Sequence, residues 1–252
     1  MLLIAIPIGI LIGVLLGMVG SGGSLLGTPL LILVGGFTFT EAATSALFIV
    51  LISSLGALLL RNKQEVSVKL IAAAVGLGTV GTPLGVMASQ EVSDELAKVI
   101  LSILLLVAGL LAWHGFGRES LRELSRNTQL LVGGVAFIFV GFMTGLTGIG
   151  GGYLLVPCLI LIYGLGFEKA VTTSLIVVVF NASAAILFRF GQGVDLSAEQ
   201  WAGTGVIVIS ALVGSLLGAY FSKLMSRKLI QRVFSVLLFG LATALIFRAI
   251  TV

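Results

Sequence analysis

Ten apolar segments, separated by short polar connectors, make up most of this chain. Hydrophobic residues account for 58% of the sequence and charged residues for only 10%, whereas a soluble domain carries about 25% charged residues. We therefore expect lipid rather than water to surround the chain, because a helix of about 20 apolar residues crosses a bilayer core. The segments lie approximately at 2–18, 24–37, 41–60, 69–88, 96–113, 130–146, 152–165, 170–188, 201–221 and 229–250.

The pattern within these segments predicts helices. Backbone groups in lipid must pair internally, so the chain can form either a helical bundle or a closed β-barrel. Barrel strands alternate apolar and polar residues, and runs such as 101–111 do not alternate. The sequence therefore predicts an all-α integral membrane protein, a polytopic helical bundle. The first segment lacks the basic leader and small-residue cleavage site of a signal peptide, so we expect it to be part of the bundle.

A glycine cluster breaks the apolar pattern once in each half of the chain. The second cluster follows the first at an offset of 128 residues, and Pro157 follows Pro29 at the same offset. Each cluster precedes a short apolar segment, and about 13 helical residues rise only about 20 Å, too little to cross a bilayer core comfortably. The clusters are Gly20, Ser21, Gly22, Gly23 and Ser24 in the first half, and Gly148, Ile149, Gly150, Gly151 and Gly152 in the second.

The repeat extends beyond the two glycine clusters, with small changes of offset. We therefore expect each half to be one copy of a five-segment unit. Residues 1–113 form the first membrane repeat, 114–129 a charged cytoplasmic connector containing a short surface helix, and 130–252 the second membrane repeat. The further matched pairs are Arg61 with Arg189 at 128, Thr44-Ser45 with Thr173-Ser174 at 129, and Gly81 with Gly214 and Gly85 with Gly218 at 133.

The basic residues favour an inverted relation between the two copies. If all ten segments cross, the basic stretches 61–69, 114–129 and 223–232 all lie on the cytoplasmic side, as the positive-inside rule requires. If 24–37 and 152–165 are re-entrant instead, the copies run parallel and 223–232 moves outside. We therefore expect antiparallel copies with both termini outside.

Isolated residues within the segments receive simpler interpretations. Arg61 and Arg189 end corresponding segments on opposite faces of the membrane. They could attract an anion at each mouth, but the favoured role is for their long side chains to reach the lipid head groups. Scattered glycines such as Gly76, Gly78 and Gly109 are expected to permit close helix packing.

Paired glycine-broken segments at corresponding positions are typical of secondary transporters, whose substrate site lies where the breaks meet. Glycine permits a sharp bend and close approach of a ligand to the backbone. A short helix is expected to start after each cluster, at Ser24 and at about Gly152, and a helix N-terminus carries unpaired amides and about half a positive charge. Two such ends facing each other would hold a small anion without any buried Lys or Arg.

Polar side chains in the third and eighth segments are candidates to line the same pocket. Asn181 is the only Asn or Gln deep within an apolar segment, so it is expected to face protein or water rather than lipid. The hydroxyls have a simpler alternative, because Ser and Thr often bond to carbonyls of their own helix. The predicted substrate-binding side chains are Thr44, Ser45, Thr173, Ser174 and Asn181.

Two other functions are the alternatives. A hydrolytic enzyme would need a nucleophile with a base, or a metal site, but the single histidine, His114, lies at the edge of the connector and no zinc-ligand cluster is evident. We therefore expect no enzymatic activity, no cofactor and no metal. A passive anion channel is harder to separate from a carrier, since alternating access is not readable from the sequence; the inverted repeat favours the carrier.

The Gly-x-Gly-Gly-Gly cluster followed by an apolar stretch with proline, present twice, resembles the sulfite exporter TauE/SafE family of membrane transporters. The second copy, from Gly148 to Pro157, is close to the family pattern, whereas the first copy departs from it at Ser21 and Ser24. The resemblance implies a multi-pass inner-membrane protein that moves sulfite, thiosulfate, sulfonates or related organic anions.

The expected partners are a small anion and membrane lipid. The net charge of +4 is not read as nucleic-acid binding, since the basic residues lie in connectors beside lipid head groups. The sequence leaves open whether the protein is a monomer or a homodimer.

Overall fold

A computed structural model describes residues 2–19, 21–59, 66–114, 125–194, 196–222 and 224–251. These residues form α-helices and one 3-10 helix, with no strand among them, which confirms the all-α prediction. In chain order the helices are α1 Leu2–Val19, the 3-10 helix Ser21–Leu26, α2 Gly27–Leu33, α3 Phe39–Leu59, α4 Val68–Glu91, α5 Asp94–His114, α6 Arg126–Thr147, α7 Gly152–Tyr163, α8 Phe167–Gly191, α9 Ala198–Phe221 and α10 Arg227–Thr251.

Seven of these helices are long and apolar enough to cross a bilayer, namely α3, α4, α5, α6, α8, α9 and α10. The apolar helices associated with the glycine breaks are shorter, as predicted: α2 has 7 residues and α7 has 12. The protein is therefore a multi-pass membrane protein, and the two short helices mark the same positions in both halves of the chain.

The predicted connector falls largely outside the described residues. Helix α5 ends at His114, and the structure resumes at Ser125, whose hydroxyl caps α6 by accepting a hydrogen bond from the Thr128 amide at 3.3 Å. Residues 126–129 therefore belong to the first turn of α6. Arg61 also lies outside the described residues.

Two helix pairs are held together through small residues. Helix α1 packs along α9, and α6 packs along α4. A Cβ added at Gly13 would collide with the backbone of Ala211, and one added at Gly141 would collide with the backbone of Gly78. Inside a membrane, glycine at such positions lets two backbones approach closely enough to pack.

The two interfaces correspond residue by residue. In each, a glycine pair on one helix approaches the backbone of the other, and the offsets are again 133 for the glycines and 128 for the residues they meet. The first helix of each predicted repeat therefore packs in the same way against the fourth helix of the other. The contacts are Gly81 with Ile138 and Gly85 with Phe142 in one interface, and Gly214 with Ile10 and Gly218 with Val14 in the other.

Helices α3 and α8, the third segments of the two halves, lie at the centre of the bundle. Within their spans, 67% and 61% of the residues are buried, against 33% to 44% in the other five long helices. Thr44 near the start of α3 contacts Arg189 near the end of α8. Val50, which is later in α3, and Val178, which is earlier in α8, both contact Gly150. The pair is therefore antiparallel, as an inverted relation of the halves requires.

A hydrogen bond at one end of the bundle also indicates that the two halves are antiparallel. The Gln90 side-chain amide donates to the Gln192 side chain at 2.6 Å, which places the end of α4 and the end of α8 on one side of the membrane. A parallel arrangement of the two halves would put these ends on opposite sides.

The expectation for scattered glycines is confirmed at two positions and wrong at one. A Cβ at Gly78 would lie 2.8 Å from the side chain of Asn181, and one at Gly109 would lie 2.8 Å from the ring of Phe239. A Cβ at Gly76 would meet nothing within 4 Å. Gly76 is therefore not a packing glycine, although it lies on the same helix as Gly78.

Helix α4 offers a matched test of the small-residue interface. Gly85→Ala forces a methyl group into the backbone of Phe142, and overpacking of this kind costs about 1–3 kcal/mol. We expect a clearly lower melting temperature for Gly85→Ala in detergent, and an unchanged or slightly higher one for Gly76→Ala, since alanine is the better helix former. Equal melting temperatures for the two variants would refute the close α4–α6 packing.

Candidate functional site

The glycine clusters at residues 20–24 and 148–152 interrupt the helices and are called the first break and the second break. The segments around the two breaks are in contact inside the bundle. The hydroxyl of Thr28, in the first turn of α2, donates a 2.8 Å hydrogen bond to the carbonyl of Thr147, the last residue of α6. The 3-10 helix Ser21–Leu26 packs against α7. Thr28 and Thr147 are both fully buried, so this contact between the breaks is shielded from the surroundings of the protein.

The first break differs in detail from its prediction. Its short helix does not begin at Ser24: the 3-10 helix continues to Leu26, and α2 begins at Gly27. Ser24 itself is buried. Gly20 lies outside the described residues; Ser21, Gly22 and Gly23 belong to the 3-10 helix. The 3-10 helix runs from within the first break to the start of α2. The spacing of the glycines does not show whether such a stretch is 3-10 or α-helical.

The second break has the predicted boundary, since α7 begins at Gly152. Gly148 ends α6 with φ 70° and Gly151 precedes α7 with φ 65°, both in the left-handed region that favours glycine. A Cβ at Gly150 would lie 2.5 Å from a methyl group of Val50 and 2.7 Å from one of Val178. The break is therefore held between the middles of α3 and α8.

Several amides of this break have no partner. Four amides around the break donate to backbone carbonyls, those of Gly148, Gly151, Leu154 and Leu155. The Ile149 amide donates to the Thr147 hydroxyl. Within the described structure, the amides of Gly150, Gly152 and Tyr153 donate to no acceptor. These three amides lie at the positive end of the α7 dipole and are suited to an anion.

The predicted hydroxyl residues are all buried, but their bonds differ. The Thr44 hydroxyl donates to the Thr40 carbonyl at 2.7 Å, and that of Thr173 donates to the Lys169 carbonyl at 2.7 Å, within their own helices. The Ser45 hydroxyl accepts from Thr204 of α9 at 3.0 Å. Ser174 is also fully buried, on α8. The simpler interpretation as helix-satisfied hydroxyls therefore describes Thr173 better than it describes Ser45.

Asn181 is in a different situation. Its side chain is fully buried and faces Gly78 of α4, and neither its amide nitrogen nor its amide oxygen has a hydrogen-bond partner in the described part of the chain. A buried amide without partners costs about 1–3 kcal/mol. It lies one helical turn beyond Val178, so it occupies the face of α8 that contacts the break.

Three further hydroxyls near the break are also unpaired among the described residues. Ser53 and Ser54 lie one turn beyond Val50 on α3, and Tyr153 lies in the first turn of α7; the hydroxyl of each is buried without a partner. Each buried polar atom of this kind calls for an explanation, such as a ligand or a water molecule. The unpaired atoms of Ser53, Ser54 and Asn181 lie on the two central helices, near the valines that contact Gly150, and that of Tyr153 lies on α7.

Arg189 corrects two predictions. Its side chain is fully buried, so it does not reach the lipid head groups, and the interior does contain a buried cation. One guanidinium nitrogen donates to the carbonyl of Gly145 at 2.8 Å and to the hydroxyl of Ser89 at 3.3 Å, and the other donates to Thr44 at 3.4 Å. The final turns of α8 are covered by α3, α4 and α6, which hydropathy alone does not reveal. A usable signal was its spacing of eleven residues from Val178, which puts both on one helical face.

Comparison of the sequence with known protein families identifies a match over nearly the whole chain. Residues 5–245 match the family described as Sulfite exporter TauE/SafE. The chain belongs to this family. It is therefore a membrane transporter rather than an enzyme, and the resemblance noted from the glycine clusters is confirmed.

Curated relatives of similar length carry the same general description. A "Probable membrane transporter protein" of Xylella fastidiosa (strain 9a5c) is 28% identical over 258 residues, covering 98% of this chain and 96% of the relative. One from strain Temecula1 is 27% identical over 255 residues, with the same coverage. "Probable membrane transporter protein YunE" of Bacillus subtilis (strain 168) is 30% identical over 118 residues, 46% of this chain and 42% of the relative. No solved structure matches this chain.

Asn181→Leu separates a transport role from a packing role. The buried amide has no partner to lose, so we expect the melting temperature in detergent to be unchanged or higher. If Asn181 bonds to the solute, transport falls about tenfold, the equivalent of one lost hydrogen bond. Ser183→Ala is the control on the same helix, because the Ser183 hydroxyl already bonds to the Val179 carbonyl. Full transport by Asn181→Leu would remove Asn181 from the site.

Proposed function

We propose that this protein is a secondary transporter that exports small sulfur-containing or organic anions, such as sulfite, thiosulfate or sulfonates, by alternating access. Its binding site is formed by the two glycine breaks. The observation that carries the proposal is the buried contact between the breaks, the Thr28–Thr147 hydrogen bond, beside a group of unpaired polar atoms. The family description, sulfite exporter, supports the choice of solute class.

The polar groups around the break are suited to an oxyanion. The free amides of Gly150, Gly152 and Tyr153 are donors at the N-terminus of α7, where the helix dipole favours negative charge. The side-chain NH2 group of Asn181 adds two donors, and the oxygen atoms of an anion can accept hydrogen bonds from them. A solute with several oxygen atoms can therefore be held by neutral donors from α7 and α8 together.

The described conformation is closed around this site. Gly148, Gly150, Gly151 and Gly152 are all buried, and Val50 and Val178 press against Gly150 from two sides. A solute enters only if helices separate, as alternating access requires and a permanently open channel does not. The antiparallel α3–α8 pair gives each half an equivalent central helix, so that the same opening is available towards either side of the membrane.

Uptake of radiolabelled thiosulfate or sulfite into proteoliposomes tests the site directly. Gly150→Ala places a methyl group against Val50 and Val178, so we expect it to obstruct the break and reduce uptake strongly. Combining it with Val50→Ala makes room for the methyl group and is expected to restore uptake in part. Gly166→Ala, where an added Cβ meets nothing within 4 Å, is the control.

The alternatives give different results in the same assay. Unchanged uptake by Gly150→Ala would contradict the assignment of the site to the second break. Uptake by the wild-type protein that increases linearly with thiosulfate concentration, together with single-channel currents, would show a passive channel instead of a carrier.

A further inference from the structure

Arg189 is a buried cation for which the described residues offer no counter-charge. Among the described residues its hydrogen-bond partners are two hydroxyls and one backbone carbonyl, all neutral, and no carboxylate pairs with it. An unpaired charge inside a membrane protein is costly and usually marks a functional position. We infer that Arg189 binds the transported anion directly, at a second position along its route. This inference rests on the proposed function.

The hydrogen bonds of the guanidinium leave room for such a ligand. The contact with the Gly145 carbonyl, at 2.8 Å, has the usual length, whereas those with Ser89 and Thr44, at 3.3 and 3.4 Å, are longer than the common range for N–H···O bonds. The Nε atom is buried and has no partner. An oxyanion that accepts from Nε and an adjacent terminal nitrogen forms the two-pronged contact that guanidinium groups favour.

The position of Arg189 connects it to the break. Arg189 and Val178 are eleven residues apart on one face of α8, a rise of about 16 Å, and Asn181 lies between them. The carbonyl that Arg189 holds belongs to Gly145, three residues before the left-handed Gly148. Arg189 therefore lies between the break and the end of the bundle where Gln90 and Gln192 are paired.

This location gives Arg189 a defined role in transport. Ser89, one of its long contacts, and Gln90 both belong to the last turns of α4. When α4 separates from the end of α8, the Gln90–Gln192 and Ser89–Arg189 contacts break, and the guanidinium faces the opening. An anion passing between this end and Gly150 then takes the place of the Ser89 hydroxyl.

The concentration dependence of thiosulfate uptake tests this role in the full-length protein. Arg189→Gln removes the charge and is expected to raise the apparent KM about 10- to 100-fold, the loss expected for hydrogen bonds to a charged group. Arg189→Lys keeps the charge but lacks the planar guanidinium, so its apparent KM is expected to lie between those of the wild type and Arg189→Gln. Arg248→Gln is the control: Arg248 also lies near the end of a helix, but it is exposed and donates to the carbonyl of Ile32 at 3.1 Å.

A second variant separates anion binding from a purely structural bond. Ser89→Ala removes a neutral acceptor from Arg189, so we expect a lower melting temperature without anion and a larger stabilisation by thiosulfate than in the wild type. If Arg189 serves only to tie α3, α4 and α6 together, thiosulfate stabilises Ser89→Ala and the wild type by the same amount.

The outcomes distinguish this inference from the proposal on which it rests. Wild-type protein that takes up none of the sulfur oxyanions overturns both. Wild-type uptake with an unchanged KM in Arg189→Gln overturns the role of Arg189 alone. If Arg189→Gln does not fold, equal thiosulfate stabilisation of Ser89→Ala and wild type overturns that role, and greater stabilisation of Ser89→Ala supports it.

Discussion

A helix broken inside a membrane leaves backbone amides and carbonyls that no water can satisfy, and this constraint determines how the bundle is built. Such a break is stable only where protein covers it or where it lines a cavity. Here α3 and α8, the two most buried of the seven long helices, enclose the second break. Thr28, in the helix that follows the first break, donates a hydrogen bond to the Thr147 carbonyl just before the second. Among the described residues, several amides of the second break still have no partner, and those are the groups available to a solute.

The two halves of the chain depend on each other for packing. The glycines of α4 receive α6, and the matching glycines of α9 receive α1, so each half inserts its first helix against the fourth helix of the other. Lipid provides little driving force for helix association, and close backbone contact through small residues takes its place. This exchange brings the break of one half against the break of the other.

Much of this architecture follows from the sequence because its determinants are local. Hydropathy locates the long helices, and the second glycine cluster predicts a helix start at about Gly152, where α7 begins. The burial of Arg189 depends instead on which helices cover the end of α8, which no local pattern specifies. The same limit explains Gly76 and Gly78, two glycines on one helix of which only Gly78 faces a neighbour, and the 3-10 helix that delays α2 to Gly27.

The central claim is that the unpaired polar atoms beside the breaks line the route of a solute. The most direct measurement is the labelling of Ser54→Cys, in a Cys158→Ser background, with a membrane-impermeant thiol reagent applied from each side in turn. Ser54 is fully buried and unpaired in the closed structure. The account predicts slow labelling from both sides, slowed further by thiosulfate. A Ser54→Cys protein that still transports but cannot be labelled from either side would contradict it.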